Sequence, residues 1–167
     1  MSSKYLSNHI VIDTGPLIAF AHLGWIDQLG QLFENIYLTE QVHTECQFEP
    51  EREDAKDIAE AVARGNLIRS KINKQNLENY PGQLGVGETS SIELALQLGC
   101  PVILDDKHAR SFARKLNVSV IGTAGVLIYA KQAGLITSVT DLLNILREKQ
   151  YYFSDELLER IKQHCRE

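Results

Sequence analysis

The chain has 167 residues, a length typical of one domain, and 44% of them are hydrophobic and 23% charged. This composition excludes a disordered or collagen-like protein, and no apolar run approaches the ~20 residues that a membrane span needs. The 17 basic and 22 acidic residues give a formal charge of −5, which argues against general binding of polyanions unless the carboxylates converge on cations.

The cysteines and the first residues indicate the compartment. Cys46, Cys100 and Cys165 are an odd number without the spacing of metal ligands. The first residues lack the pattern of an export signal. We therefore expect a soluble, unprocessed protein in the cytoplasm.

In chain order, hydrophobic periodicity predicts strands that alternate with helices. A β-branched strand at 10–12 leads into a turn at 13–16 and helices around 17–23 and 26–33. A strand at 36–38, a helix capped by Thr39 and ending at Cys46, an amphipathic helix at 51–64 and a strand at 67–72 follow. The glycine-rich stretch 81–87 precedes a helix that ends at Gly99. No Gly-Lys-Ser/Thr follows these glycines, so the stretch is not a P-loop.

The second half of the chain repeats the alternation. It contains a strand at 102–104, a helix around 109–116, a strand at 118–121, a helix at 123–133, and two helices capped by Ser138 and Ser154. Such alternation predicts a parallel sheet covered by helices on both faces. We expect one domain over 1–167, with a core at about 9–135 and a helical tail at about 138–167.

Carboxylates follow two of the predicted strands. Asp13 comes directly after the first strand, and Asp105 and Asp106 follow the fourth. The carboxyl ends of the strands form the functional edge of an open parallel sheet. Each aspartate could equally serve only to cap the helix that follows it.

Two glutamates extend this set. Glu88 lies in the first turn of its helix, on the face shared with Ile92 and Ala95, and Glu45 lies on the short helix after the second strand. The alternatives are that Glu88 only complements the helix dipole and that Glu45 is a surface residue. Glu93 is rotated away from Glu88, and we interpret it as a solvated acid.

Four segments separate in sequence thus deliver an acid to one edge of the predicted sheet. Several carboxylate oxygens together suit Mg²⁺ or Mn²⁺. Such ions can polarise a phosphodiester and lower the pKa of an attacking water. The pattern favours metal-assisted hydrolysis.

Four motifs in this order resemble the PIN-domain nucleases. They are Val-Ile-Asp-Thr-Gly-Pro-Leu-Ile at 11–18, Gly-Val-Gly-Glu-Thr at 85–89, Val-Ile-Leu-Asp-Asp at 102–106 with Ala109-Arg110, and Ile-Gly-Thr-Ala-Gly-Val-Leu at 121–127. The series is most similar to the PIN-like branch that is encoded near toxin–antitoxin modules and is related to VapC toxins. Order and spacing carry the resemblance, which covers about 10–135.

The resemblance implies a three-layer α/β/α sandwich with a central, mostly parallel sheet and a C-terminal helical extension. It implies an Mg²⁺- or Mn²⁺-dependent endoribonuclease that hydrolyses RNA phosphodiesters with a metal-bound water. By position, Asp13, Glu45, Glu88 and Asp106 match the catalytic metal ligands of the family, with Asp105 in support. It also suggests a toxin that is held inactive by an antitoxin protein, and a homodimer.

Two positions depart from the family pattern. Gly15 stands where many relatives have a Ser or Thr, and Glu88 replaces a more usual Asp. Thr14 is a candidate to supply the missing hydroxyl. Basic residues spaced three and four apart follow the aspartate pair on one helix, where they could contact RNA or form a solvated face. The candidates for RNA contact are Thr14, Lys107, Arg110 and Arg114.

Two other functions remain open. A catalytically weak or inactive PIN-like module that binds proteins is favoured by Gly15, Glu88 and the acidic charge. A Mg²⁺-dependent phosphotransfer domain also places Asp at strand ends. However, a phosphatase of the haloacid-dehalogenase type would have a second Asp at position 15, and a receiver would have its acid pair after the first strand.

Overall fold

The computed structural model describes residues 6–167, which divide into two compact units. The first unit ends at Gly122, and the second is Thr123–Glu167. The predicted core at about 9–135 and helical tail at about 138–167 stay a prediction.

A parallel sheet forms the centre of the first unit. Its strands are β1 (Ser7–Ile12), β2 (Phe33–Thr39), β3 (Ile68–Ser70), β4 (Val102–Ile103) and β5 (Val120–Ile121). They lie in the order β3-β2-β1-β4-β5, and all neighbouring strands are parallel. The chain moves outward from β1 to β3 on one side and then crosses to β4 on the other. A crevice therefore opens at the carboxyl ends of β1 and β4, where parallel α/β proteins bind their ligands.

The core explains why β1 lies in the middle of this sheet. Its residues Ile10, Val11 and Ile12 are almost fully buried, and Val11 is paired with Tyr37 on one side and Val102 on the other. A continuous β-branched run suits a strand that is covered on both faces.

Helices cover the sheet and complete the predicted α/β/α sandwich. Those of the first unit are α1 (Thr14–His22), α2 (Ile26–Leu29), α3 (Glu40–Cys46), α4 (Glu53–Ala63), a 3₁₀ helix (Lys74–Asn79), α5 (Val86–Leu98) and α6 (Lys107–Lys115). Helix α5 packs against β1, β2 and β4. Its residues from Thr89 to Ala95 are all buried, so it is a central helix without a broad solvent face.

The second unit consists of helices α7 (Thr123–Gln132), α8 (Val139–Glu148) and α9 (Asp155–Cys165). Ser138 and Ser154 cap α8 and α9 as predicted, each accepting a hydrogen bond from a backbone N–H three residues later. The carboxylate of Glu167 accepts hydrogen bonds from Lys131 and from the backbone N–H groups of Val139 and Thr140.

The structure also differs from the predicted elements at two places. The helix predicted at 26–33 ends at Leu29. Phe33, which was assigned to this helix, is the first residue of β2 and is only 1% exposed. The 3₁₀ helix at Lys74–Asn79 was not predicted, because its sequence has no apolar period. Within residues 6–167, no helix combines the length and the apolar character that crossing a membrane requires.

Candidate functional site

A cavity of about 250 Å³ lies at the carboxyl edge of the sheet. It is lined by Asp13, Thr14, Gly15, Pro16, Glu45, Gly85, Gly87, Glu88, Asp105 and Asp106. We call it the acid cavity, because all five carboxylates predicted from the sequence border it and, among the residues that the structure describes, no basic side chain does. It combines several negative charges without a protein cation in its wall.

The topology explains this convergence. Asp13 follows β1 and Asp105 follows β4, and these neighbouring strands flank the point where the chain changes direction. Glu45 comes from the last turn of α3, and Glu88 from the first turn of α5. Asp13 and Glu88, which are 75 positions apart in the sequence, therefore line the same cavity.

Asp13 is the most buried of these acids, with 7% exposure. Its Oδ1 accepts a hydrogen bond of 3.1 Å from the hydroxyl of Ser91. Burial raises the pKa of Asp13 from 3.8 to about 7; hydrogen bonds from Thr14 and Ser91 oppose the shift, and the charges of Glu88 and Glu45 add to it. Asp13 occupies the position before α1, but its side chain makes no capping hydrogen bond. Helix capping therefore does not explain this carboxylate.

Glu45 is held by two donors from different elements. Its Oε1 accepts a hydrogen bond of 3.0 Å from the backbone N–H of Gly87, and its Oε2 accepts one from the hydroxyl of Thr14. A Cβ at position 87 would lie 2.5 to 2.9 Å from the Glu45 carboxyl group. Gly87 is thus required for this close approach. Thr14, a predicted RNA contact, uses its hydroxyl to orient Glu45.

Glu88 combines a capping role with a position in the acid cavity. Its Oε2 accepts a hydrogen bond of 2.9 Å from the backbone N–H of Gly85, the residue that precedes α5. The side chain is half-buried and borders the cavity. Glu88 therefore has both roles that the sequence analysis gave as alternatives. It interacts with the start of α5, and it lies among the other acids.

The aspartate pair after β4 borders the cavity with both members exposed. Asp106 caps α6, since its Oδ1 accepts a hydrogen bond of 2.8 Å from the backbone N–H of Ala109. Asp105 lies beside the guanidinium of Arg110. Both groups lie against Gly122, where an added Cβ would contact them. The two aspartates therefore have different neighbours, although both line the cavity.

The basic residues predicted to contact RNA differ in exposure. Arg110 is half-buried, and its Nη1 donates to the carbonyl oxygen of Leu104 at 3.2 Å. Burial lowers the pKa of Arg110, as does the charge of Arg114, while Asp105 opposes the shift. Lys107 and Arg114 are exposed on α6. Contact of any of these residues with RNA stays a prediction.

Buried hydroxyl groups join the elements around the cavity, and of these the sequence analysis singled out only Thr39, as a helix cap. The hydroxyls of Thr39 and Ser90 lie 2.8 Å apart, and Ser90 donates to the carbonyl oxygen of Gly87 at 2.8 Å. Thr39 also caps α3 through the backbone N–H of Val42. These contacts fix the start of α3 to the start of α5. Their signal in the sequence is the run Thr-Ser-Ser at 89–91 within an otherwise apolar helix.

The interpretation of Glu93 as a solvated acid was wrong, because its exposure is only 4%. It accepts hydrogen bonds of 2.8 to 2.9 Å from Asn76, Tyr80 and Gln97. Burial alone would raise the pKa of Glu93, but these hydrogen bonds outweigh burial and hold it below its usual value. The 3₁₀ helix covers this side of α5, which helical periodicity alone could not reveal.

Among the residues that the structure describes, the acid cavity has donors for a divalent cation but not a preformed metal site. Within residues 6–167, no three His, Cys, Asp or Glu side chains are arranged closely enough to hold a metal ion as they stand. The donor set itself fits a hard cation, because it consists of carboxylate oxygens. Burial is the main cause of the raised pKa of Asp13, the charges of Glu88 and Glu45 add to it, and a bound cation would offset both. Glu45 is exposed and Glu88 is half-buried, so the acid cavity is open to ions from solvent.

Comparison with known proteins identifies the family of this fold. Residues 9–167 match the family model DUF3368, which is described as a PIN domain. No curated protein matches the chain.

Two solved structures are similar to this chain. A PilT N-terminus domain protein from Sulfolobus solfataricus P2 gives a TM-score of 0.52 at 21% sequence identity, over 73% of this chain and 92% of that chain. A domain of a functionally unknown protein from Methanocaldococcus jannaschii DSM 2661 gives a TM-score of 0.45 at 14% identity, over 69% and 90% of the two chains. At this level of identity, the first similarity supports the fold alone. Because the family match covers almost the whole sequence, the chain belongs to the PIN-domain family, whose fold is generally that of a nuclease.

Proposed function

We propose that this chain is an Mg²⁺- or Mn²⁺-dependent endoribonuclease. The observation that carries the proposal is the acid cavity, in which four separate segments of a PIN-domain chain bring carboxylates to one crevice. PIN domains typically use divalent metals, and their nuclease fold is associated with nucleic-acid binding. The choice of RNA rests on the resemblance to the VapC-related branch.

Asp13, Glu45, Glu88 and Asp106 would hold the cation, with Asp105 in support. When bound, a divalent cation would supply Lewis-acid chemistry, which polarises a phosphodiester and lowers the pKa of an attacking water. Ser91 orients Asp13, and Thr14 with the N–H of Gly87 orients Glu45. The positive charge would also favour the ionised form of Asp13, which burial otherwise disfavours.

The same resemblance supports four further parts of the proposal. The chain would act in the cytoplasm as the toxin of a toxin–antitoxin pair. An antitoxin protein would hold it inactive, and it would form a homodimer. We also propose that 1–167 act as one functional PIN-like domain, with the core at about 9–135 and the tail at about 138–167.

The second candidate function is a PIN-like module that binds proteins and has little or no catalytic activity. It is favoured by the observation that no three potential ligands within residues 6–167 are close enough to hold a metal as they stand. Gly15 also leaves open space at the wall of the acid cavity, where a Cβ would have no heavy atom within 4 Å.

Thermal unfolding with and without Mn²⁺ tests the metal centre before any RNA substrate is known. Ligand at 100 times its dissociation constant adds about 2.7 kcal/mol, and each kcal/mol moves the midpoint by roughly 2–4 °C at this size. We expect millimolar Mn²⁺ to raise the midpoint of the wild type by several degrees and to have little effect on Asp13→Asn. Glu34→Gln is the matched control, because Glu34 is an exposed acid near the amino end of β2, at the opposite edge of the sheet.

Cleavage of a labelled RNA pool then tests the chemistry. We expect Mn²⁺-dependent cleavage by the wild type and by Glu34→Gln, and at least a hundredfold slower cleavage by Asp13→Asn. The absence of a Mn²⁺ response in the wild type would contradict the nuclease proposal and favour the protein-binding module. A full response in Asp13→Asn would contradict the assignment of Asp13 as a ligand.

A further inference from the structure

A second cavity, of about 370 Å³, adjoins the acid cavity and shares Glu45 with it. Its lining residues are Glu40, Gln41, Thr44, Glu45, Lys74 and Val86. We call this cavity the side groove. Because the two cavities share a residue, a chain-like ligand whose reacting group lies in the acid cavity has the side groove as a direct continuation.

The topology places Lys74 in the wall of the side groove and Lys71 near Glu40, another residue of that wall. Strand β3 lies at the edge of the sheet next to β2, and its carboxyl end points to the same edge as those of β1 and β4. Lys71 follows that end directly, and Lys74 begins the 3₁₀ helix. Both lysines are exposed, and among residues 6–167 neither has a carboxylate within ion-pair distance.

The acids of the side groove are already compensated or belong to the acid cavity. Glu40 forms an ion pair with Arg69, and this contact, together with the charges of Arg69, His43 and Lys71, holds its pKa below the usual value although burial opposes the shift. Glu45 is bound to Thr14 and Gly87 at the boundary between the cavities. Arg69, Lys71 and Lys74 therefore outnumber Glu40 and Glu45 by one charge around the side groove, in a chain whose formal charge is −5.

Lys74 and Val86 lie on elements that are fixed to each other. Asn76 and Tyr80, within and just after the 3₁₀ helix, both donate to the buried Glu93 of α5 at 2.8 Å. Val86 is the first residue of α5, and its side chain is 62% exposed beside the acid cavity. The side groove thus has a cation and an apolar wall in a preformed arrangement.

We propose that the side groove binds the nucleotide adjacent to the scissile phosphodiester of a single-stranded RNA, with Lys74 contacting its phosphate and Val86 packing against its sugar or base. The inference rests on the proposed ribonuclease function and adds a substrate contact outside the residues matched to the family. A lysine ammonium binds phosphate as a compact charge, and phosphate contacts dominate the affinity of nucleic-acid binding. Continuity with the acid cavity through Glu45 favours the substrate strand over a separate acidic protein partner.

Lys74→Gln tests the inference, with Arg64→Gln as the control for loss of one positive charge. Arg64 follows α4 and precedes β3, so it lies at the opposite edge of the sheet. We expect Lys74→Gln to raise KM for a labelled single-stranded RNA pool by roughly three- to tenfold, while kcat changes by less than twofold. It should also reduce the slope of log affinity against log salt by about 0.7, the value for one phosphate contact on a single strand.

Two further readouts distinguish this inference from the proposed function. Binding is measured by fluorescence anisotropy of the same RNA pool in an Asp13→Asn background, where cleavage is prevented, with and without Lys74→Gln. The Mn²⁺-induced rise in the unfolding midpoint is measured for each variant. We expect Lys74→Gln to leave this rise unchanged, since Lys74 does not line the acid cavity.

The outcomes distinguish failure of the Lys74 inference from failure of the proposed ribonuclease function. If the wild type cleaves RNA and Lys74→Gln has an unchanged KM and salt slope, the inference is overturned and the proposed function stands. If the wild type shows neither a Mn²⁺ response nor cleavage, the proposed function fails and the inference fails with it. If Lys74→Gln weakens binding of an acidic peptide and not of RNA, the side groove belongs to a protein partner instead.

Discussion

At the scale of single residues, Asp13 shows how burial changes a carboxylate. Its pKa lies at about 7 in the folded chain and at about 3.8 when exposed. Between these pH values the folded state binds a proton that the unfolded state has released. The free energy of unfolding therefore falls as the pH rises through this range, and above pH 7 the full penalty for the buried charge is present.

Asp13→Asn should remove this penalty, since the amide keeps an oxygen that can accept the hydrogen bond from Ser91. The rise of the Asp13 pKa from 3.8 to about 7 corresponds to roughly 4 kcal/mol, an upper bound for the gain at pH 8. We expect Asp13→Asn, without metal, to unfold several degrees above the wild type at pH 8 and close to it at pH 4. Thermal unfolding in EDTA at both pH values measures the difference. An equal difference at both pH values would contradict the assigned pKa.

Substitution of Gly87 by Ala should move the Glu45 carboxyl group without destabilising the fold. An added Cβ would displace the carboxyl group of Glu45, which is the end of an exposed, flexible side chain. The helix itself favours Ala over Gly by about 1 kcal/mol. We therefore expect Gly87→Ala to unfold within about 2 °C of the wild type, while its Mn²⁺ response and RNA cleavage decrease at least tenfold.

Gly85→Ala provides the control for Gly87→Ala, because a Cβ at position 85 meets only the Glu88 side chain at 3.7 Å or more. The Mn²⁺ titration is followed by the unfolding midpoint, and cleavage by the initial rate. Wild-type metal affinity and activity in Gly87→Ala would show that the position of Glu45 does not matter.

At the scale of secondary structure elements, polar contacts in the interior hold the site together. Ser90 joins α5 to Thr39 at the end of β2, and Ser91 joins α5 to Asp13 at the end of β1. Glu93 joins α5 to the 3₁₀ helix through Asn76 and Tyr80. Helix α5 is thus the element to which the others are fixed, and it carries Glu88 at its start.

Tyr80→Phe should weaken the attachment of the 3₁₀ helix. Loss of one hydrogen bond to a buried carboxylate costs about 2 kcal/mol, or several degrees in the unfolding midpoint. Tyr152→Phe is the control, because the Tyr152 side chain is 88% exposed. If the side groove binds RNA, Tyr80→Phe should also raise KM with little effect on kcat. Identical unfolding midpoints for wild type and Tyr80→Phe would show that the bond to Glu93 does not stabilise the fold.

The elements also show where sequence patterns succeed. Thr39, Ser138 and Ser154 cap their helices as predicted, because capping depends on residues only three positions apart. Glu93 and the 3₁₀ helix were misjudged, because a central helix has no solvent face for periodicity to detect. The hydrogen-bond partners of Glu93 lie up to 17 residues away.

At the scale of the whole molecule, the charges are distributed unevenly. The acid cavity brings five carboxylates together, whereas around the side groove the basic residues Arg69, Lys71 and Lys74 outnumber the acids Glu40 and Glu45 by one. An average charge therefore does not describe how RNA would approach the edge of the sheet.

In the second unit, the Glu167 side chain connects α7 to α8. The Glu167 side chain is 12% exposed. Burial would raise its pKa, but the hydrogen bonds from Lys131, Thr140 and Val139 lower it well below the usual value. Its contribution to stability is therefore present above about pH 4.5 and is lost as the pH falls toward the lower folded value.

We expect Glu167→Gln to increase hydrogen exchange at the backbone amides of Val139 and Thr140 by about tenfold at pH 7. Glu159→Gln, an exposed acid on α9, should leave both amides unchanged. Hydrogen exchange followed by NMR measures both amides directly. Equal exchange in the wild type and Glu167→Gln would contradict a role of Glu167 in closing the second unit.

The amino-acid sequence by itself determined the alternation of strands and helices and the acids at the strand ends, because both follow from local periodicity and from residues a few positions apart. It also carried the PIN-domain resemblance, which the family match confirms. Only the tertiary structure decided that five carboxylates border one cavity and that Glu45 contacts Gly87 and Thr14. The buried position of Glu93 and the place of Lys74 beside Glu45 also required it. These features depend on strand order and on contacts between distant segments, which no local pattern encodes.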